Sequence, residues 1–312
     1  LKVTTMANKR IDEPTGIETV GHEWDGIEEL NNPLPRWWVI SFWLCIALSI
    51  GYVVVYPAIP MGSKASEGLF GWSSRGQLAA ETSAAEAARK PVLDAIAATP
   101  VEQIANDPKL LAQAKAGGAA AFKQNCAQCH GSGGKSMPGN GYPNLTDTDW
   151  LWGGNVKDIE LTLVNGIRSP DHAATRTSLM PSFGKDGILT GAQINDVTNH
   201  VLSLSGKGQT SAAGAALFAA NCAACHGPDG KGLRQFGAPN LTDQVWLYGG
   251  DKAQVTASIH KARAGVMPGW SGKLDTATIK MLAVYVHSLG GGEDFTEAAA
   301  TPPANGTGNA QP

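Results

Sequence analysis

Cysteine, two residues, cysteine, histidine occurs twice in the chain, as Cys126-Ala-Gln-Cys129-His130 and as Cys222-Ala-Ala-Cys225-His226. That spacing has one dominant use, the covalent attachment of a c-type haem. The paired thiols form thioethers with the haem vinyl groups, and the next imidazole ligates the iron. Two copies imply two haem c groups, held by Cys126, Cys129, Cys222 and Cys225, with His130 and His226 as proximal ligands. A chain so built moves electrons. A thioredoxin-like reading needs a strand–helix context that is not evident around either motif. A zinc site needs a fourth ligand per motif, and none stands at zinc-like spacing.

Each iron then needs a sixth ligand. A methionine thioether opposite histidine raises the reduction potential, which suits delivery toward oxygen. Met180, in Leu-Met-Pro-Ser, and Met267, in Val-Met-Pro-Gly, are the candidates. The proline after each restricts the methionine to extended backbone, as a ligand loop requires. Met137 also precedes a proline, but it follows His130 by only seven residues, too few to reach the opposite haem face. His172 is a further rival. Met281, His200, His260 and His287 read as packing or surface residues on or near helices.

Pro143 and Pro239 each follow the proximal histidine by 13 positions. A carbonyl there would accept the imidazole Nδ1–H, fixing the ring and raising its basicity. Arg168 and Arg176 read either as partners of haem propionates or as solvated loop charges.

The elements that must position these residues form an internal repeat. Gly118-x-x-x-Phe122-x-x-Asn125-Cys126 matches Gly214-x-x-x-Phe218-x-x-Asn221-Cys222. Pro143-Asn-Leu-Thr-Asp147 matches Pro239-Asn-Leu-Thr-Asp243, and Trp150-Leu-x-Gly-Gly154 matches Trp246-Leu-x-Gly-Gly250. Every pair is 96 positions apart. The first copy then carries an insertion: Gly154 to Met180 is 26 residues, and Gly250 to Met267 is 17. Apolar-periodic helices close the copies, near 190–204 and 276–289. The expected modules are residues 113–206 and 207–290, followed by a Gly-, Ala- and Pro-rich tail, 291–312, read as disordered.

Residues 37–56 carry no charge. Twenty helical residues span about 30 Å, the thickness of a bilayer core. Trp37, Trp38, Tyr52 and Tyr56 sit near the ends, where an aromatic belt belongs. Residues 1–36 precede the span, and 57–112 form a helix-favouring linker. In the linker, Thr99-Pro-Val-Glu102 reads as a capping box and Asp107-Pro108 as a helix start. Thioether attachment occurs outside the bacterial cytoplasm, so the haem modules belong in the periplasm with the N-terminus inside. Five cysteines in all, four of them in the motifs, leave no disulfide framework. A formal net charge of -3 gives no basic field for nucleic acid.

The two modules resemble class I cytochrome c domains, in which a Gly/aromatic N-terminal helix crosses the C-terminal helix. Gly118 and Phe122, and Gly214 and Phe218, fit the first helix; Tyr285 and Val286 fit the second. His200 stands where the other copy has Tyr285. Trp150 and Trp246 fit haem contacts. The fold class is therefore all-α: one transmembrane helix, a helical linker and two tandem haem modules. With Trp24-Asp-Gly-Ile-Glu-Glu-Leu-Asn-Asn-Pro-Leu-Pro-Arg-Trp-Trp38 before the span, residues 20–290 resemble the dihaem subunit of cbb3-type cytochrome c oxidase, the FixP or CcoP type.

The resemblance implies a subunit of the bacterial inner membrane that takes electrons from a donor cytochrome c. It implies delivery toward a monohaem c subunit and a catalytic subunit with haem b, haem b3 and copper. The chain offers no oxygen-reducing centre of its own if both methionines ligate. An independent membrane-anchored dihaem carrier, like cytochrome c4, has the same chemistry without the oxidase. A dihaem peroxidase needs an open haem, which two Met-Pro loops argue against. A sensor needs an output domain, and the N-terminal segment is too short for one.

Overall fold

The computed structural model describes residues 9–137 and 139–294. The expected tail therefore lies outside the described residues from 295 onward. The chain divides into two units, the first ending at Glu86 and the second beginning at Ala87.

The first unit opens on an antiparallel hairpin, β1 (Thr19–Trp24) and β2 (Ile27–Leu30). Asp25 and Gly26 form its turn with φ of 51° and 83°. A two-residue Asp-Gly turn of this kind matches the right-handed twist of paired strands. Helix α1 (Arg36–Val55) follows Pro35, whose fixed φ of -55° sets its start. It ends at Tyr56, which is extended, as a residue before proline must be. The helix has a mean hydropathy of 2.2 and none of it is buried within the protein. A helix of this length, apolar on all sides beyond Arg36 apart from Ser41 and Ser49, is compatible with lipid rather than water. A second small hairpin, β3 (Pro60–Met61) and β4 (Lys64–Ala65), precedes α2 (Ser74–Ala98).

In the second unit the expected capping box is absent. The Thr99 hydroxyl donates to the Ala95 carbonyl at 2.8 Å, and Pro100 caps a short 3-10 turn, Val101–Asn106, without a side-chain bond. Asp107 does cap α3 (Pro108–Asn125), accepting from the Lys109 and Leu110 amides. The haem-bearing unit thus begins before the expected linker ends. Ile96, Val101 and Ile104 are core residues, and the Lys280 ammonium donates to the Ala97 and Thr99 carbonyls at 2.7 Å.

The remaining helices are α4 (Ala127–His130), α5 (Val156–Asn165), α6 (Gly191–Leu204), α7 (Ala212–Asn221), α8 (Ala223–His226), α9 (Lys252–His260) and α10 (Thr276–His287). Their pairing departs from the expected one. Helix α3 crosses α10, and α7 crosses α6. Each repeat's first helix therefore packs on the other repeat's closing helix.

The contacts at the two crossings are equivalent. A Cβ on Gly118 would lie 2.1 Å from the Met281 carbonyl oxygen, and one on Gly214 would lie 2.4 Å from that of Asp196. Four residues on, Phe122 meets Tyr285 at 5.4 Å between rings, and Phe218 meets His200 at 5.0 Å. His200 is thus the counterpart of Tyr285, but it serves the second motif's core.

Two hydrophobic cores result. The outer one joins Phe122, Leu145, Ile159 and Leu163 of the first repeat to Leu282, Val284 and Val286 of the second. The inner one is built from Phe183 to Ile259 without interruption and includes Val197, Val201, Phe218 and Val255. The exchange follows from chain reach. Only residues 205–211 separate α6 from α7, and folding neighbours into a helical hairpin closes a short loop at low entropic cost.

The end of the chain is anchored before the described residues stop. Trp150 donates its indole N–H to the Gly291 carbonyl at 2.6 Å. The Glu293 carboxylate accepts from the Gly154 amide and pairs with Arg234. Residues 291–294 thus differ from the disordered start expected of the tail.

Asp149 sits at the seam between repeats, half-buried, with Asp243 and Asp147 nearby. Burial first, and then these two charges, push its carboxyl up to about 6, against a smaller lowering by Arg234. A folded pKa above the unfolded one means that the folded state holds a proton which the unfolded state releases. Stability from this group therefore falls as pH rises from about 4 to about 6. Asp149→Asn is expected to stabilise the protein by about 1 kcal/mol near pH 7, after allowance for solvent screening. The gain should vanish near pH 4, and thermal unfolding at the two pH values checks it.

Candidate haem sites

Each Cys-x-x-Cys-His segment is one helical turn hung on the end of a longer helix. Cys126 ends α3 and opens α4, with the His130 amide donating to the Cys126 carbonyl at 3.0 Å; Cys222 does the same between α7 and α8, at 2.9 Å. The backbone angles of Cys126 (φ -112°, ψ -32°) and Cys222 (φ -116°, ψ -35°) nearly coincide. One turn brings both thiols and the imidazole to a common edge. None of the four motif thiols is in a disulfide, and burial pushes those of Cys126 and Cys222 up to about 11, with their partner cysteines adding to the rise.

The imidazoles of the two motifs are held as their spacing suggested. His130 Nδ1 lies 3.2 Å from the Pro143 carbonyl oxygen, and His226 Nδ1 lies 3.1 Å from that of Pro239. Burial lowers the pKa of both rings, while the carbonyl contact raises it by less. Neutral rings that donate from Nδ1 leave the Nε2 lone pair for a metal.

One continuous cavity is lined by both motifs, by Met180 and Met267, and by Trp246, Tyr248 and Trp152. Within it the methionine loops follow the helix exchange. Met267 packs against the outer core, which contains Cys126. Its amide and carbonyl both bond to Ile167, at 2.9 Å each, just beyond α5. The Met180 loop runs instead into the inner core through Phe183. The Gly184 and Lys185 amides donate to the His260 carbonyl, and the Ala262 amide donates to the Ser182 hydroxyl. Met267 thus packs on the core that holds Cys126, and the Met180 loop leads into the core that holds Cys222.

The rival candidates have surroundings of their own. Met137 is exposed, and Pro138 lies outside the described residues. His172 Nε2 lies 3.1 Å from the Ser271 hydroxyl. His200 Nδ1 meets Thr210, and His287 donates to the Glu293 carbonyl. Met281 is buried in the outer core.

The repeat spacing also carried signals that the sequence reading did not use. Arg176 and Arg263 each precede a candidate methionine by four positions. Arg176 lies over Trp152 at 5.0 Å, and Arg263 lies over Tyr248 at 4.2 Å. Trp152 and Tyr248 are themselves 96 apart, and each seats on a glycine of the other repeat. A Cβ on Gly237 would strike the Trp152 ring, and one on Gly141 the Tyr248 ring. The two repeats thus interlock reciprocally.

A covalently bound haem fits these residues. Paired thiols suit thioether attachment to the haem vinyl groups, and a carbonyl-tethered imidazole and a soft thioether are donors that haem iron accepts. In addition, the Trp246 indole nitrogen is buried and has no hydrogen-bond partner among the described residues. A buried indole N–H ordinarily has an acceptor, and a carboxylate at the cavity edge would supply one. Its counterpart Trp150 instead donates to Gly291.

Fold and site together define a c-type cytochrome with two haem-binding repeats behind one membrane-length helix. The family comparisons agree. Residues 115–205 match the family described as cytochrome c, residues 209–286 that described as cytochrome c oxidase, cbb3-type, subunit III, and residues 16–63 the N-terminal domain of cytochrome oxidase-cbb3, FixP. A cbb3-type cytochrome c oxidase subunit FixP of Bradyrhizobium diazoefficiens is 52% identical over 290 residues, covering 92% of this chain and 99% of that protein. A subunit CcoP of Cereibacter sphaeroides is 50% identical over 279 residues, covering 88% and 95%. One from Azospirillum sp. B510 is 49% identical over 298 residues, covering 92% and 100%. The chain belongs to the FixP/CcoP family of cbb3-type cytochrome c oxidase subunits.

Proposed function

We propose that this chain relays electrons from a donor cytochrome c through two haems to the monohaem c subunit and the haem b, haem b3 and copper subunit of a cbb3-type oxidase. The observation that carries this reading is the single cavity lined by both Cys-x-x-Cys-His turns and both methionine loops. Haems held by the two motifs would share this cavity, an arrangement that suits passage of an electron from one to the other.

In this reading Cys126 and Cys129 would attach one haem, and His130 and Met267 would supply its iron donors. Cys222 and Cys225 would attach the other, with His226 and Met180. The crossed assignment is supported by the placement of Met267 on the outer core and of the Met180 loop on the inner core. When bound, each haem supplies a reversible one-electron couple whose potential the thioether raises. The chain's own residues hold it rigid: two thiols fix its edge, and the prolyl carbonyls fix each imidazole plane. Helix α1 anchors the chain in the bacterial inner membrane, with the N-terminus in the cytoplasm and the haems in the periplasm.

Purification in mild detergent through a tag on this chain, followed by reduced spectra with and without carbon monoxide, tests the reading. Co-purifying large subunits, a b-type band and a carbon monoxide shift are expected. Only c-type bands, unmoved by carbon monoxide, from fully assembled membranes would make it an independent carrier instead.

A further inference from the structure

We propose that Arg168 is a positioning residue shared by both haem sites, one guanidinium that clamps the two methionine loops to each other. The inference rests on the reading of Met180 and Met267 as axial ligands.

Arg168 stands where the two repeats cross. The residue before it, Ile167, exchanges both backbone hydrogen bonds with Met267, and the Arg168 amide donates to the Arg176 carbonyl at 2.7 Å. Its side chain reaches both loops. Nε donates to the Gly265 carbonyl at 2.7 Å, and Nη1 donates to the Ser178 carbonyl at 2.9 Å. Gly265 is two residues before Met267, and Ser178 is two residues before Met180. The one side chain thus grips equivalent points on both loops. A guanidinium is a planar, rigid fork, so the separation of its two acceptors is fixed in a way that a flexible ammonium cannot match.

Three further observations support a dedicated role. Arg168 is a non-glycine residue with φ of 52°, a left-handed backbone that persists only where its surroundings enforce it. Among the described residues it forms no ion pair with a carboxylate, so it is spent on carbonyl oxygens rather than on a charge partner. Arg168 lies in the stretch between Gly154 and Met180, which is 26 residues long against 17 between Gly250 and Met267, so it falls where the repeat register is broken. A single clamp serves two sites, and it lines the same cavity as both methionines.

Releasing the clamp frees both loops at once. A thioether that drifts from its iron no longer favours the reduced state, and the potential falls. The test uses the full-length, haem-loaded protein. Its readouts are covalent haem content, the methionine-to-ferric-iron charge-transfer absorption, and the midpoint potential of each haem. Arg168→Leu is expected to keep two covalent haems while lowering both potentials and weakening the absorption at both sites. Arg168→Lys, which keeps the charge but not the fork, is expected to do the same. If Arg168→Leu fails to assemble, Arg168→Gln carries the same expectation. A change confined to one haem, no change at either, or full restoration by lysine would overturn the clamp. Met180→Leu and Met267→Leu, measured alongside, separate the two ideas: if neither alters a potential, the ligand reading itself fails, whatever Arg168 does.

Discussion

Met267→Leu is expected to lower the reduction potential of the haem attached at Cys126 and Cys129, and to leave the haem at Cys222 and Cys225 near its original value. Met180→Leu should do the reverse. Two repeats that each closed on themselves would give the opposite pattern, so the sign of the result distinguishes the topologies. The warrant is local packing: Met267 lies in the outer core with Cys126, Leu145 and Trp270, bonded to Ile167 on both sides. The Met180 loop reaches Phe183, which packs with Phe218 and Val255 beside Cys222. Axial ligands set haem potentials over roughly 0.8 V, so exchanging a thioether for a hydrocarbon should move the affected couple by an appreciable part of that range. Both variants keep the thiols and proximal histidines, so covalent haem content should not change. Redox titration in a background where Cys222 and Cys225 are replaced isolates the first haem. A fall there with Met180→Leu rather than Met267→Leu would sink the crossed assignment.

The chemistry was legible because it is written locally. A five-residue motif, a proline 13 positions on, and a charge-free run of 20 residues each fix one element with no knowledge of the rest. The Asp107 cap was equally readable, since its partners lie two and three residues away. What the sequence did not disclose is partner choice between near-identical surfaces. Gly118 with Phe122 and Gly214 with Phe218 present the same face, so periodicity names the helices that cross but not which copy each meets. The departure at His200 marked the place, yet only the seven-residue connection between α6 and α7 decides it, through loop entropy rather than side-chain identity. The N-terminal hairpin was missed for a different reason. Asp25-Gly26 is a strong turn signal, but its flanks are acidic and aromatic rather than cleanly alternating. The Thr99 box failed because the hydroxyl found the carbonyl of the preceding helix first.

The same exchange predicts how the chain can be divided. A fragment of residues 177–266 should fold cooperatively and hold one haem, whereas residues 207–290, the second repeat as sequence similarity defines it, should not. The inner core comprises Phe183, Leu189, Ile194, Val197, Val201 and Leu202 before residue 207, and Phe218, Leu241, Val255 and Ile259 after it. Cutting at 207 removes the first six. Each buried side chain of this size contributes ~1.5–3 kcal/mol, so the loss is on the order of 10 kcal/mol, comparable to the whole stability of a domain at about 5–15 kcal/mol. The cut also strands α10, whose Leu282, Ala283 and Val286 are buried against the first repeat and would face water. The longer-range alternative, α7 turning to α10, would need α10 to exchange the Phe122–Tyr285 contact for one with Phe218. Fragment 177–266 keeps α6, α7, α9, both inner-core halves and the Met180 loop. Circular dichroism melts with haem stoichiometry decide the matter. A sharp haem-bound transition for 207–290, with none for 177–266, would mean that each repeat closes on itself in solution and that the exchange is not what stabilises this protein.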